Sequence, residues 1–157
     1  MVRTSKIRKS SVLSVAAATL AGPLLLAGPA QAAPVAITCT TNTTASGVTP
    51  SCTRDVSDGD AGGVSGAVRI TANSGEYARI AFQADGEKVV MQNTWRSWKA
   101  VFELYTHSSS GWSKKATWKV STAVTSNLSI PEGVPVYIKV CMEGGGFGCA
   151  GNNRLIA

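Results

Sequence analysis

The chain has 157 residues, with 15 Lys and Arg against 9 Asp and Glu, a single histidine and four cysteines. Four of the basic residues, Arg3, Lys6, Arg8 and Lys9, stand ahead of an Ala- and Leu-rich run, so the rest of the chain carries 11 − 9 = +2 rather than +6. A weakly basic body with interspersed signs excludes a nucleic-acid binder, which needs Lys and Arg clustered on one face.

The basic start, the uncharged run from Ser10 to Ala30 and the small-residue site Ala30-Gln31-Ala32 form the three parts of a secretory signal peptide over residues 1–32, with cleavage after Ala32 or Ala33. Gly22, Pro23, Gly28 and Pro29 interrupt the run and argue against a retained anchor. No other segment is apolar enough to span a bilayer as a helix. The expectation is an exported chain with no membrane attachment in its mature form. All four cysteines follow the signal, and an even set in an exported chain reads as structural disulfides. Four cysteines allow three connectivities. The local pairs Cys39–Cys52 and Cys141–Cys149 are favoured because each closes a short Gly- or Thr-rich loop.

From Pro34 the pattern is one of short strands. Val35 to Thr41 and Cys52 to Val56 read as a bridged hairpin or a loosely attached arm over residues 33–63, ending in the turn Asp58-Gly59-Asp60-Ala61-Gly62-Gly63. Val35 and Ile37 on this segment are candidates for insertion into a partner, since an extended segment can add to a cleft or a sheet edge through its backbone. Asp55, Asp58 and Asp60 could crowd a calcium ion, but their spacing fits no complete loop for one, and a solvated acidic turn is the better reading.

Residues 64–157 then alternate apolar and polar positions in quick succession. Val64 to Ala72, Tyr77 to Ala84 and Lys88 to Gln92 form a meander, the last two joined by the hairpin signal Asp85-Gly86. Asn93 to Trp98 is a polar connection carrying Trp95 and Trp98, which core and interface claim equally. Ala100 to His107 and Trp112 to Val120 follow, the second placing Trp112, Lys114, Ala116, Trp118 and Val120 on one side, with Trp112 and Trp118 expected to cover a core. Asn127 to Ile130 leads into the clearest strand, where Val134, Val136, Ile138, Val140 and Met142 alternate with Pro135, Tyr137, Lys139 and Cys141. The fold expected is all-β, a small antiparallel β-sandwich with two local disulfides.

Catalytic chemistry finds little to stand on. His107 lies on a turn beside Ser108, Ser109 and Ser110, and sequence neighbours on a turn do not adopt triad geometry. Glu103 with Glu87 or Asp85 could be offered as a glycosidase pair, but Glu103 on an alternating strand reads more simply as an outward polar residue. The run Gly144-Gly145-Gly146-Phe147-Gly148 lacks the helix and Lys of a phosphate cradle. It reads instead as a tethered loop presenting Phe147. No cofactor, metal or catalytic residue is expected, and the candidate contact residues are Val35, Ile37, Trp95, Trp98 and Phe147.

The stretch NLSIPEGVPVYIKVCMEGGGFGCAG from Asn127 to Gly151, together with the Ala-rich signal and ARIAFQADGEKV, resembles a group of small secreted actinomycete proteins. Within that group the chain is similar to the adaptor subunit of umbrella toxin particles. The resemblance implies a non-enzymatic protein that joins a lectin-bearing subunit to a repeat-containing toxin subunit. An inhibitor of a hydrolase, presenting the Met142 to Gly148 loop, and a carbohydrate-binding module are the alternatives.

Overall fold

In a computed structural model, residues 35–41, 47–56, 62–143 and 148–157 are described. The signal sequence, Asp58, Asp60 and Phe147 lie outside them. The described residues belong to the unit Gln31–Ala157.

The two-residue alternation of apolar side chains produces strands throughout, and there is no helix among the described residues. They are β1 (Val35–Ile37), β2 (Thr40–Thr41), β3 (Val48–Asp55), β4 (Ser65–Ala72), β5 (Tyr77–Gln83), β6 (Lys88–Asn93), β7 (Ala100–Ser108), β8 (Gly111–Val120), β9 (Ala123–Asn127), β10 (Pro135–Met142) and β11 (Cys149–Ile156). One sheet runs in the order β1-β3-β4-β5-β6-β9 and the other β2-β11-β10-β7-β8, each antiparallel at every pairing. The inner faces meet in a core where Val68, Ile70, Ile80, Phe82, Val89, Met91, Phe102, Leu104, Val136, Ile138 and Val140 are all fully buried. Burying each such side chain contributes about 1.5–3 kcal/mol. The expected β-sandwich is therefore the observed one, with both local disulfides, Cys39–Cys52 and Cys141–Cys149, in place. Such bridges belong to chains that mature in an oxidising compartment.

Three details differ from the sequence reading. First, the N-terminal segment is a bridged hairpin in that β1 pairs with β3, but it is not a free arm. β1 edges one sheet, the chain crosses at Thr38 and Cys39 to add β2 to the edge of the other, and β3 returns to the first. The Cys39–Cys52 bridge ties the crossing to β3, whose Cys52 Sγ lies 3.4 Å from the Gly151 carbonyl oxygen of β11. Pro50 is tolerated within β3 because β1 pairs only with Cys52 to Arg54, leaving that side of Pro50 without a ladder.

Second, β11 is a strand the polar sequence Cys149–Ile156 conceals. Third, the turn between β5 and β6 takes its positive φ angles at Gly86 and Glu87 (71° and 42°), one residue later than an Asp85-Gly86 two-residue turn requires, so Ala84 to Glu87 form a four-residue loop.

A candidate binding surface on the five-stranded sheet

Alternation sends Tyr137 and Lys139 of β10 and Glu103 and Tyr105 of β7 to the outer face, while their neighbours Val136, Ile138, Phe102 and Leu104 fill the core. Strand β8 would place Trp112 on the core side if its alternation were unbroken. It is not: Leu104 pairs with Ala116 but Tyr105 pairs with Lys114, so an extra residue bulges from β8. A one-residue insertion exchanges the two faces for everything beyond it. Ala116, Trp118 and Val120 face inward as expected, whereas Trp112 and Lys114 move to the outer face. Trp118 is partly buried against the core and Trp112 is 45% exposed.

The result is a cluster of rings across three strands. Tyr105 and Tyr137 are cross-strand partners with centroids 5.5 Å apart. Trp112 meets Tyr137 edge-on at 5.9 Å and His107 edge-on at 5.0 Å. On the far side, the Tyr137 ring lies against the backbone of Gly151 on β11. A Cβ at that position would stand 2.4 Å from the ring, so glycine is what lets the ring lie down. A shallow depression of ≈ 360 Å³ runs over these rings, rimmed by Thr40, Lys139 and Asn153.

Beneath the rings Glu103 is largely covered and fully partnered. Lys114 Nζ donates to Oε1, Tyr105 Oη donates to Oε2 at 2.9 Å and Lys139 Nζ lies 3.2 Å from Oε2. Burial alone would raise the pKa of this carboxyl, and it is the largest single influence. The hydrogen bonds from Lys114, Tyr105 and Lys139 together outweigh it and hold Glu103 below the ordinary carboxylate range. Burial and the adjacent carboxylate push the Tyr105 hydroxyl up, and the hydrogen bond to Glu103 raises Lys114. Glu103 thus works as an anchor that fixes Lys114, Lys139 and Tyr105 around the rings. It is an outward residue by alternation, as the sequence suggests, but a covered one.

The sequence-derived contact residues fare differently. Trp95 is 5% exposed and belongs to the core, which removes it from the contact set. Its placement follows from Asn93, which is buried. The Asn93 side chain accepts from the Trp95 backbone N–H at 3.1 Å and donates to the carbonyls of Trp98 at 2.9 Å and Val120 at 3.0 Å. This knot turns Trp95 inward and leaves Trp98 38% exposed. Ile37 is partly buried against the core, and Val35 pairs with Arg54 at the sheet edge, so neither projects from a free arm.

The Glu143 N–H donates to the Lys99 carbonyl at 2.9 Å, which brings the segment carrying Trp98 to the end of the sandwich where the Cys141–Cys149 loop begins. His107 is exposed beside Trp112. Among the described residues no three of His, Cys, Asp and Glu are grouped to hold a metal. The cluster of Tyr105, Trp112 and Tyr137 is what sequence reasoning did not assemble. Outward Tyr105 and Tyr137 were visible in the alternation, but the bulge that adds Trp112 leaves no such mark.

Comparison with protein-family models, with curated proteins and with solved structures finds no significant match to this chain.

Proposed function

We propose that this chain is a secreted, non-enzymatic binding protein that acts as an adaptor in an extracellular protein assembly, and that its partner covers the aromatic face of the five-stranded sheet. The observation that carries this reading is the exposed Trp112 grouped with Tyr105 and Tyr137 on hydrogen-bonded strands. Large rings held rigidly lose little entropy on binding, and Trp and Tyr at the centre of an interface with a polar surround contribute most of its energy. Thr40, Lys139 and Asn153 supply that surround. The signal pattern of residues 1–32 and the two disulfides support export. The resemblance of Asn127 to Gly151 to umbrella toxin adaptors supports an antibacterial toxin complex as the assembly, with lectin-bearing and repeat-containing subunits as partners.

The test is capture of partners from culture supernatant by tagged wild type and by Trp112→Ala. Wild type is expected to bring down at least one further secreted subunit, and the variant to lose it by more than about tenfold, as an interface hot spot does. A wild-type protein recovered alone, or a partner retained equally by both, contradicts the reading.

The same rim of hydrogen-bonding side chains beside grouped rings favours a second reading, a carbohydrate-binding module in which a sugar ring lies on Trp112 or Tyr137. Retention on a polysaccharide matrix that Trp112→Ala abolishes, with no protein captured, would favour it.

A further inference from the structure

The outer face of the six-stranded sheet has a different character. Where β4 and β5 pair, Ala67 opposes Ala81, each 7% exposed, and forms the floor of a shallow trough of ≈ 410 Å³. One rim is basic. Two residues along, Arg69 directly opposes Arg79, two guanidinium side chains on adjacent strands and the same face. Like charges so placed repel and destabilise the pair. Here neither arginine makes an ion pair or a side-chain hydrogen bond among the described residues, although both are half-buried. The Nε of Arg69 is buried without a partner, and its guanidinium is stacked 4.0 Å above the ring of Tyr77. Stacking fixes the plane of that fork and leaves the terminal Nη groups, not the buried Nε, to meet a planar anion.

The opposite rim, four residues away along β5 or roughly 13 Å at the rise of a strand, carries Asp55, Gln83, Asp85 and Lys88. The two rims are therefore unlike: Arg79 with Arg69 beside it on the adjacent strand on one side, two carboxylates with one lysine on the other. A polyanion laid in the trough would meet Asp55 and Asp85. An extended peptide would not, because its acidic side chains can turn to the arginines while its backbone N–H groups or a basic side chain turn to the carboxylates.

We infer that this trough is a second docking surface, and that its occupant is an acidic extended segment of a partner protein whose carboxylates bridge Arg69 and Arg79. The inference rests on the adaptor reading in one respect only: a protein that joins two others needs two separate surfaces, and the two sheets present one each.

The probe is a fluorescein-labelled peptide with two Glu residues at one end and Ser residues with one Lys at the other, followed by anisotropy, with the Lys and Ser peptide as its control. The Glu peptide is expected to bind the wild type and to weaken with added salt. Arg79→Gln keeps the Arg69–Tyr77 contact and is expected to weaken binding by at least about tenfold, the equivalent of one charge-assisted hydrogen bond. Arg79→Lys should fall between, since it keeps the charge and loses the fork. Relief of the Arg69–Arg79 repulsion should leave the melting temperature of Arg79→Gln equal to that of the wild type or above it, so a loss of binding cannot be laid to unfolding.

Equal binding of the Glu peptide by wild type and Arg79→Gln, or tighter binding of the Lys peptide, overturns the inference. So does displacement of the Glu peptide by inorganic phosphate with no dependence on Arg79. Trp112→Ala should bind the Glu peptide normally. If that variant loses its secreted partner while the Glu peptide binds no form of the protein, the aromatic face stands and the arginine trough falls; peptide binding that depends on Arg79 with no role for Trp112 in capture gives the reverse.

Discussion

The two outer faces of this sandwich are made by the same alternation and handle charge in opposite ways. On the five-stranded sheet the buried carboxylate of Glu103 is shared among Lys114, Lys139 and Tyr105, and the exposed feature is a group of rings. On the six-stranded sheet the arginines oppose each other with no carboxylate between them, and the floor is alanine. Charges that satisfy one another hold a surface in shape, whereas charges left facing each other raise the energy of the free protein and lower it only when something anionic arrives. The first face offers apolar area at low entropy cost; the second offers hydrogen-bond donors.

That contrast can be broken at four points. The largest effect is expected from Gly151→Ala, since the added Cβ would stand 2.4 Å from the edge of the Tyr137 ring and forces either the ring or the strand to move. Crowding of this kind destabilises by about 1–3 kcal/mol, and chemical denaturation measures it directly. An alanine accepted with unchanged stability would mean that the ring does not rest on Gly151.

Next comes Glu103→Gln, which leaves Lys114 and Lys139 without their shared acceptor charge and should lower stability by about 1–3 kcal/mol. Arg79→Gln, by comparison, should lower it not at all. A reversed order of these two variants would sink the distinction between the faces.

The pH dependence sharpens the same point. The pKa of Glu103 is depressed in the folded state, so its contribution is fully present above its ordinary value of 4.5 and is lost as pH falls through the lower folded value. The difference in melting temperature between wild type and Glu103→Gln should therefore be constant near neutrality and close as the solution is acidified below 4.5. A gap that widens on acidification would contradict the arrangement around Glu103.

A smaller loss of stability, about 0.5–1.5 kcal/mol from the edge contacts with Tyr137 and His107, is expected from Trp112→Ala, despite its large expected effect on partner capture. A loss of stability beyond that range would make Trp112 a structural residue instead.

How much of this was legible in the sequence depends on where local pattern decides. The alternation of Val136, Ile138, Val140 and Met142 in β10 and of Ala78, Ile80 and Phe82 in β5 is carried by the residues themselves, and the strands formed where it indicated. The pairing of cysteines followed from short loops. Strand β11 was hidden because Gly151, Asn152 and Asn153 have no strand preference and are held by neighbours: Asn152 is buried and donates across to the Thr53 carbonyl of the other sheet at 2.9 Å. The integration of β1 and β2 into opposite sheets depends on contacts far along the chain, with Arg54 and Gly151 respectively. The aromatic cluster was half legible, through Tyr105 and Tyr137. Trp112 joined it through a bulge, and a bulge is set by pairing with β7 rather than by the composition of β8.

The most direct test of the central claim compares chemical labelling of two exposed tryptophans, Trp112 and Trp98, in the free protein and in the complex captured from culture supernatant. The account predicts that Trp112 is protected in the complex while Trp98 is labelled as before. Protection of Trp98 with Trp112 still open to the reagent would contradict it, and would move the contact surface to the end of the sandwich.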